Sequence, residues 1–66
     1  RIYVELLDDK IATTKELDSN RLIDYSEDGK AVGVDLMEVS RGAKLDGLPE
    51  AELIGKILAY FDIRAR

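Results

Sequence analysis

Residues 22–39 read Leu-Ile-Asp-Tyr-Ser-Glu-Asp-Gly-Lys-Ala-Val-Gly-Val-Asp-Leu-Met-Glu-Val, two β-rich runs on either side of an Asp-Gly turn. This pattern specifies a β-hairpin. Within Ser26-Glu27-Asp28-Gly29, the glycine is free to take the positive φ that a hairpin connection of three to five residues requires. The strand before the turn is read as residues 21–25 and the strand after it as residues 30–40. Alternation then sets Val32, Val34 and Leu36 on one face, and Gly33, Asp35, Met37 and Val39 on the other. A glycine weakens a strand interior, so Gly33 is expected to mark a bulge or the close approach of another backbone.

Upstream, Ile2, Val4 and Leu6 alternate with Tyr3, Glu5 and Leu7, which predicts a strand over residues 2–7. Asp8-Asp9-Lys10 is a polar break, and residues 11–17, with Thr13 and Thr14 inside, predict a second strand. Asp18-Ser19-Asn20 is a turn cluster. Downstream of Gly42 the pattern changes to a helical period over residues 49–61, beginning near Pro49 and capped by Gly47 or Asp46. Leu53, Ile57, Phe61, Ile54 and Leu58 fall within about 140° of one another on that helix, a stripe wide enough to cover a sheet face. The stripe either packs on its own sheet or uses Leu53, Ile57 and Phe61 as anchors in a partner's groove. The expected fold is α+β: a four-stranded antiparallel β-meander with one C-terminal amphipathic helix on one face, forming a single domain over residues 1–66.

A 66-residue chain has room for one core, and domains of this size are marginal. Cysteine and histidine are both absent, so disulfides and thiolate zinc sites are excluded as supports. Self-association is the support that remains. It is expected through the face the helix leaves open, with Gly33, Asp35, Met37 and Val39 as candidate interface residues. The same two absences argue against catalysis, because histidine is the commonest general acid or base and cysteine the most readily activated nucleophile. No catalytic residue, metal ligand or cofactor-binding residue is assigned, and the chain is expected not to be an enzyme.

The net charge of −4 is concentrated in residues 8–35, which hold eight acids and four bases. That surface opposes binding to nucleic acid or anionic membranes; it is read first as a solvated face that keeps the protein soluble, and otherwise as one that suits a basic protein partner. No apolar run approaches a membrane span and no export signal is present, so a cytoplasmic protein is the default expectation.

One pattern imitates a metal site. Asp24-x-Ser26-x-Asp28-Gly29 followed by Asp35 nearly reproduces the spacing of an EF-hand calcium loop. Both flanks alternate as strands where that motif needs helices, and Asp35 stands where a bidentate Glu belongs, so the turn reading is preferred. Asp8-Asp9 is read as a polar turn. The aromatics Tyr3, Tyr25, Tyr60 and Phe61 are assigned to packing rather than to base stacking.

The run from Leu22 to Ser40 resembles the domain-of-unknown-function family 2283, whose pattern is apolar-apolar-Asp-aromatic-x-x-Asp-Gly-x-apolar-apolar-Gly-apolar-acidic-apolar. Asp24, Asp28, Gly29, Gly33 and Asp35 occupy its acidic and glycine positions. Ile2-Tyr3-Val4-Glu5-Leu6 and Thr14-x-Glu16-Leu17 resemble its earlier segments, so the likeness covers about residues 2–41. The family commonly opens with a Tyr-Asp segment, and this chain begins after it, at Arg1 with no initiator Met. Upstream sequence is therefore expected to be missing. The helix lies outside the likeness. The resemblance implies a small β-sheet domain with no assigned activity. Because some members are thought to be encoded beside toxin-like proteins, it also implies an antitoxin-like, partner-neutralising role as the alternative to a self-associating, non-enzymatic protein-interaction domain that forms a homodimer.

Overall fold

The computed structural model describes residues 1–66. It contains β1 (Ile2–Glu5), β2 (Thr13–Asp18), β3 (Arg21–Tyr25), β4 (Ala31–Leu36) and one helix, α1 (Ala51–Tyr60). Every pairing is antiparallel, so the α+β reading of one open sheet and one helix holds. The strands lie side by side in the order β1-β4-β3-β2. Three of them, β2, β3 and β4, meander, and β1 joins on the far side of β4.

That order explains why two strands are shorter than their alternation suggests. After Glu5 the chain must cross the end of the sheet to reach β2. The Leu6 and Leu7 amides both donate to the Val32 carbonyl (2.7 and 3.0 Å), and the Ala12 amide donates to the Tyr25 carbonyl (2.8 Å). The crossing uses Leu6, Leu7, Ile11 and Ala12, all of which were expected to lie in strands. The Val32 carbonyl accepts both through its two lone pairs, and beside it the β3–β4 register passes from Asp24↔Gly33 to Tyr25↔Ala31, a bulge next to Gly33.

The hairpin closes as its sequence dictates. The Ser26 amide donates to the Lys30 carbonyl (2.8 Å), the Gly29 amide donates to the Ser26 carbonyl (3.0 Å), and Gly29 takes φ 83°. This is a three-residue loop ending in a left-handed glycine. Ser26, itself buried, donates its hydroxyl to Asp28 and accepts from the Lys30 amide (3.1 Å).

At its other end β4 stops at Leu36, short of the expected Ser40, because its neighbours run out. Ile2 and Arg21 both pair with Leu36, and the Met37 amide turns away to the Asn20 carbonyl (2.7 Å). This corrects the placement of two candidate interface residues. Met37 lies past the strand, exposed, and Val39 packs against the core instead of lining the open face with Gly33 and Asp35.

The core lies between the sheet and the helix. Val4, Val34 and Ile23 form one row across three strands, Leu36 stands in the next, and Ala43, Leu48, Ile54 and Leu58 close over them. Only 14 of 66 residues are buried, so this core leaves much apolar surface for something else to cover.

The loop from β4 to α1 is held by a residue that alternation alone did not flag. Arg21 is buried at the sheet end; its Nε donates to Asp18 (2.9 Å) and its Nη1 to the carbonyls of Lys44 (3.0 Å) and Asp46. Beside it the tail returns to the loop. The Ala43 amide donates to the Arg64 carbonyl (2.7 Å), and the Arg66 amide donates to the Ala43 carbonyl (2.8 Å), a parallel bridge.

Both ends of α1 have left-handed residues that are not glycine. The cap position is Glu50, at φ 53° and without a capping side chain, in place of Gly47 or Asp46, and Pro49 precedes the helix. At the far end Asp62 takes φ 60°, its amide donates to the Ala59 carbonyl and the Ile63 amide to the Leu58 carbonyl. These two bonds define a Schellman motif with aspartate where glycine is usual.

Candidate functional site

The open face of the sheet carries two rows of side chains. Tyr3, Asp35, Leu22 and Glu16 form one row, and Glu5, Gly33, Asp24 and Thr14 the other. The face is therefore largely polar, not the apolar surface expected from Met37 and Val39. Its groups satisfy one another. The Tyr3 hydroxyl donates to Asp24 (2.9 Å), the Thr14 hydroxyl donates to the other Asp24 oxygen (2.5 Å), and Arg1 makes a two-pronged pair with Asp35 (3.1 and 2.5 Å).

Gly33 makes this arrangement possible. To reach Asp24 on β3 from β1, the Tyr3 ring crosses β4 directly above Gly33, where a methyl group would overlap the hydroxyl and lie 2.9 Å from Cε2. A close approach was expected here, but the approaching group is a side chain of the same sheet rather than another backbone. Partial burial of the ring, followed by its bond to Asp24, pushes the Tyr3 phenol up to about 12.

The residues of the calcium-like pattern are dispersed. Asp24 serves Tyr3 and Thr14, Asp28 lies in the turn with Ser26, and Asp35 pairs with Arg1. No three acidic side chains converge on one point. Hydrogen bonds from Arg21, Ser26 and Ser40 respectively hold the Asp18, Asp28 and Glu38 carboxyls below their ordinary range. Asp8 and Asp9 are exposed in the crossing segment, where Asp9 and Lys10 lie near Glu27 and Asp28.

The feature best shaped to receive something lies at the β1 edge of the sheet. There a groove of about 450 Å³ runs between Ile2, Tyr3, Val4 and Glu5 on one side and Ile57, Leu58, Phe61 and Ile63 on the other. Seven of its eight lining residues are hydrophobic. The apolar stripe of the helix divides between two tasks. Ile54 and Leu58 are buried in the core, whereas Leu53 is 47% and Phe61 66% exposed.

Beside the groove, β1 has no neighbour on its outer side. The Leu6 amide bonds to β4, so alternation turns the backbone groups of Ile2 and Val4 inward and those of Tyr3 and Glu5 outward, toward solvent. The opposite edge differs. There β2 carries Lys15, Glu16 and Asp18, and its register is broken between Glu16 and Asp18, two features that blunt an edge against pairing. The stripe was legible in the sequence, but the open edge was not, since which strand lies outermost depends on the strand order.

The structure defines a small α+β domain with one apolar groove bounded by an unpaired strand. The model of the family described as "Protein of unknown function (DUF2283)" matches residues 2–40, and the chain belongs to that family. The matched stretch contains β1 to β4 and ends before the helix. No curated protein and no solved structure matches the chain. No helix is long and apolar enough to cross a membrane.

Proposed function

We propose that this chain is a non-enzymatic protein-interaction domain that self-associates as a homodimer through the groove and edge at β1. The observation that carries the proposal is the apolar groove of about 450 Å³ lying against unpaired backbone. Exposed apolar surface bordered by free strand groups is the arrangement used for recognition by strand addition. A core of this size also gains from covering more surface than one copy can.

The polar groups support a binding role over a catalytic one. Asp18, Asp28 and Glu38 are held toward their charged forms and Tyr3 toward its neutral form, each reinforcing its ordinary state at neutral pH. Acid–base catalysis at neutral pH is favoured by the opposite displacement. The antitoxin-like alternative draws on Asp8, Asp9, Glu27 and Asp28, exposed at the hairpin end. Lys10 and Lys30 stand among them, with Lys30 3.7 Å from Asp28, which dilutes the charge a basic partner would meet.

Sedimentation equilibrium tests the proposal. The protein is expected to be dimeric at about 100 μM, and Phe61→Asp is expected to be monomeric with an unchanged circular dichroism spectrum, because Phe61 contributes little to the core. A monomeric wild type at that concentration rejects self-association.

A further inference from the structure

Resting on the reading that the chain self-associates at β1, we infer the register of the pairing: two copies join β1 to β1 antiparallel, with Tyr3 facing Tyr3 across a two-fold axis and Arg1 of each copy facing Glu5 of the other. The occupant of the groove is thus a second copy of this chain.

Three observations lead to this register. First, Tyr3 and Glu5 direct their amide and carbonyl groups away from β4, so two such edges bond only if outward residues face outward residues. Centring on Tyr3 satisfies that rule at Tyr3 and at both Arg1–Glu5 positions. Second, the edge is complementary to itself in charge. Glu5 lies on the same face as Tyr3, and Arg1, just before β1 on the other side of Tyr3, is held on that face by Asp35 (2.5 Å) while staying largely exposed. Antiparallel pairing about Tyr3 thus brings each Arg1–Asp35 pair up to the other copy's Glu5. A shift that set Glu5 on the axis would put the two Glu5 carboxylates against each other, which like-charge repulsion disfavours.

Third, the apolar side chains fall correctly. In this register Ile2 of one copy lies beside Val4 of the other on the helix face, and Ile57 and Phe61 of both copies flank that apolar row. The Tyr3 ring does not obstruct the edge, because it lies inward over Gly33, bonded to Asp24. The result is one continuous sheet through both copies, in which neither β1 has a free edge.

Charge exchange between copies tests the register. Glu5→Arg and Arg1→Glu each replace two attractions between copies by two repulsions, so each protein alone should dimerise at least about tenfold more weakly than the wild type. Arg1→Glu also removes the pair with Asp35 within each copy, so an unchanged circular dichroism spectrum is required of it and Glu5→Arg carries the comparison. Mixed together they should form a heterodimer, because the first variant then presents two positive side chains along β1 and the second presents two negative ones opposite them. In the wild type, the Tyr3 and Glu5 amides should exchange hydrogen more slowly as concentration rises through the dimerisation range, whereas Thr14 and Glu16 on the far edge should not change. Dimerisation of the wild type with concentration-independent exchange at Tyr3 and Glu5, and no preference for the mixed pair, overturns the register while leaving self-association standing. A wild type that stays monomeric at about 100 μM removes both.

Discussion

Gly33 shows how one hydrogen atom in place of a side chain decides what a sheet face can carry. Its φ lies outside the left-handed region, so space, and not backbone conformation, demands glycine there. Gly33→Ala should drive the Tyr3 ring off the strand, break its bond to Asp24 and cost about 1–2 kcal/mol. The same substitution in a Tyr3→Ala background should cost much less, since the overlapping ring is then gone. Urea unfolding of the four proteins measures the coupling, and additive effects would count against the ring as the cause. Asp35, in the same strand, is committed in another way: both its oxygens hold Arg1. The notable residue that the alternation did not single out is Arg21. Its buried guanidinium holds two carbonyls of the loop between β4 and the helix, and a lone arginine at a strand start gives no sign of that in sequence.

Among the elements, the ends of the helix are the least settled by their own residues. Asp62 adopts a left-handed conformation that costs a non-glycine residue about 1–2 kcal/mol. Its side chain is exposed and makes no hydrogen bond or ion pair that offsets this. Asp62→Gly should therefore raise stability by about 0.5–1 kcal/mol and the melting temperature by a few degrees, measured by thermal denaturation. The elements themselves were readable wherever the signal is local. The Asp28-Gly29 turn and the alternation around it located β3 and β4, and the apolar period located the helix. What failed depends on partners distant in sequence. Met37–Ser40 alternate like a strand, but β4 ends where Ile2 and Arg21 cease to face it. Leu6, Leu7 and Ile11 alternate as well, yet they lie in the crossing that β1 needs to reach the other side of the sheet. The groove was half legible. Leu53, Ile57 and Phe61 were recognisable as an apolar row, but the edge that completes the groove follows from strand order alone.

For the molecule as a whole, charge sets a plateau of stability with two slopes. With neither histidine nor cysteine, no side chain of ordinary pKa changes charge between about pH 5 and 9. The Asp18, Asp28 and Glu38 carboxyls titrate lower in the fold than in the unfolded chain. Their contribution is present above about pH 4 and is lost as pH falls through the folded values. Tyr3 is raised to about 12, so its contribution is present below the unfolded phenol value near 10 and is lost as pH rises through 12. Melting temperature should stay level across the plateau and fall on both sides; a step between pH 6 and 7 would contradict this. The strand order has a kinetic consequence as well. The β2–β3 and β3–β4 hairpins close over short loops, whereas β1 must find β4 across about half of the chain, with Ile2 meeting Leu36. Loop closure makes such a contact slow to form. Docking of β1 is thus expected as the last step of sheet assembly and its release as the first step of opening. The strand that completes the fold latest is the one that offers an edge to a second copy, so assembly between chains has to wait for the final folding step within each.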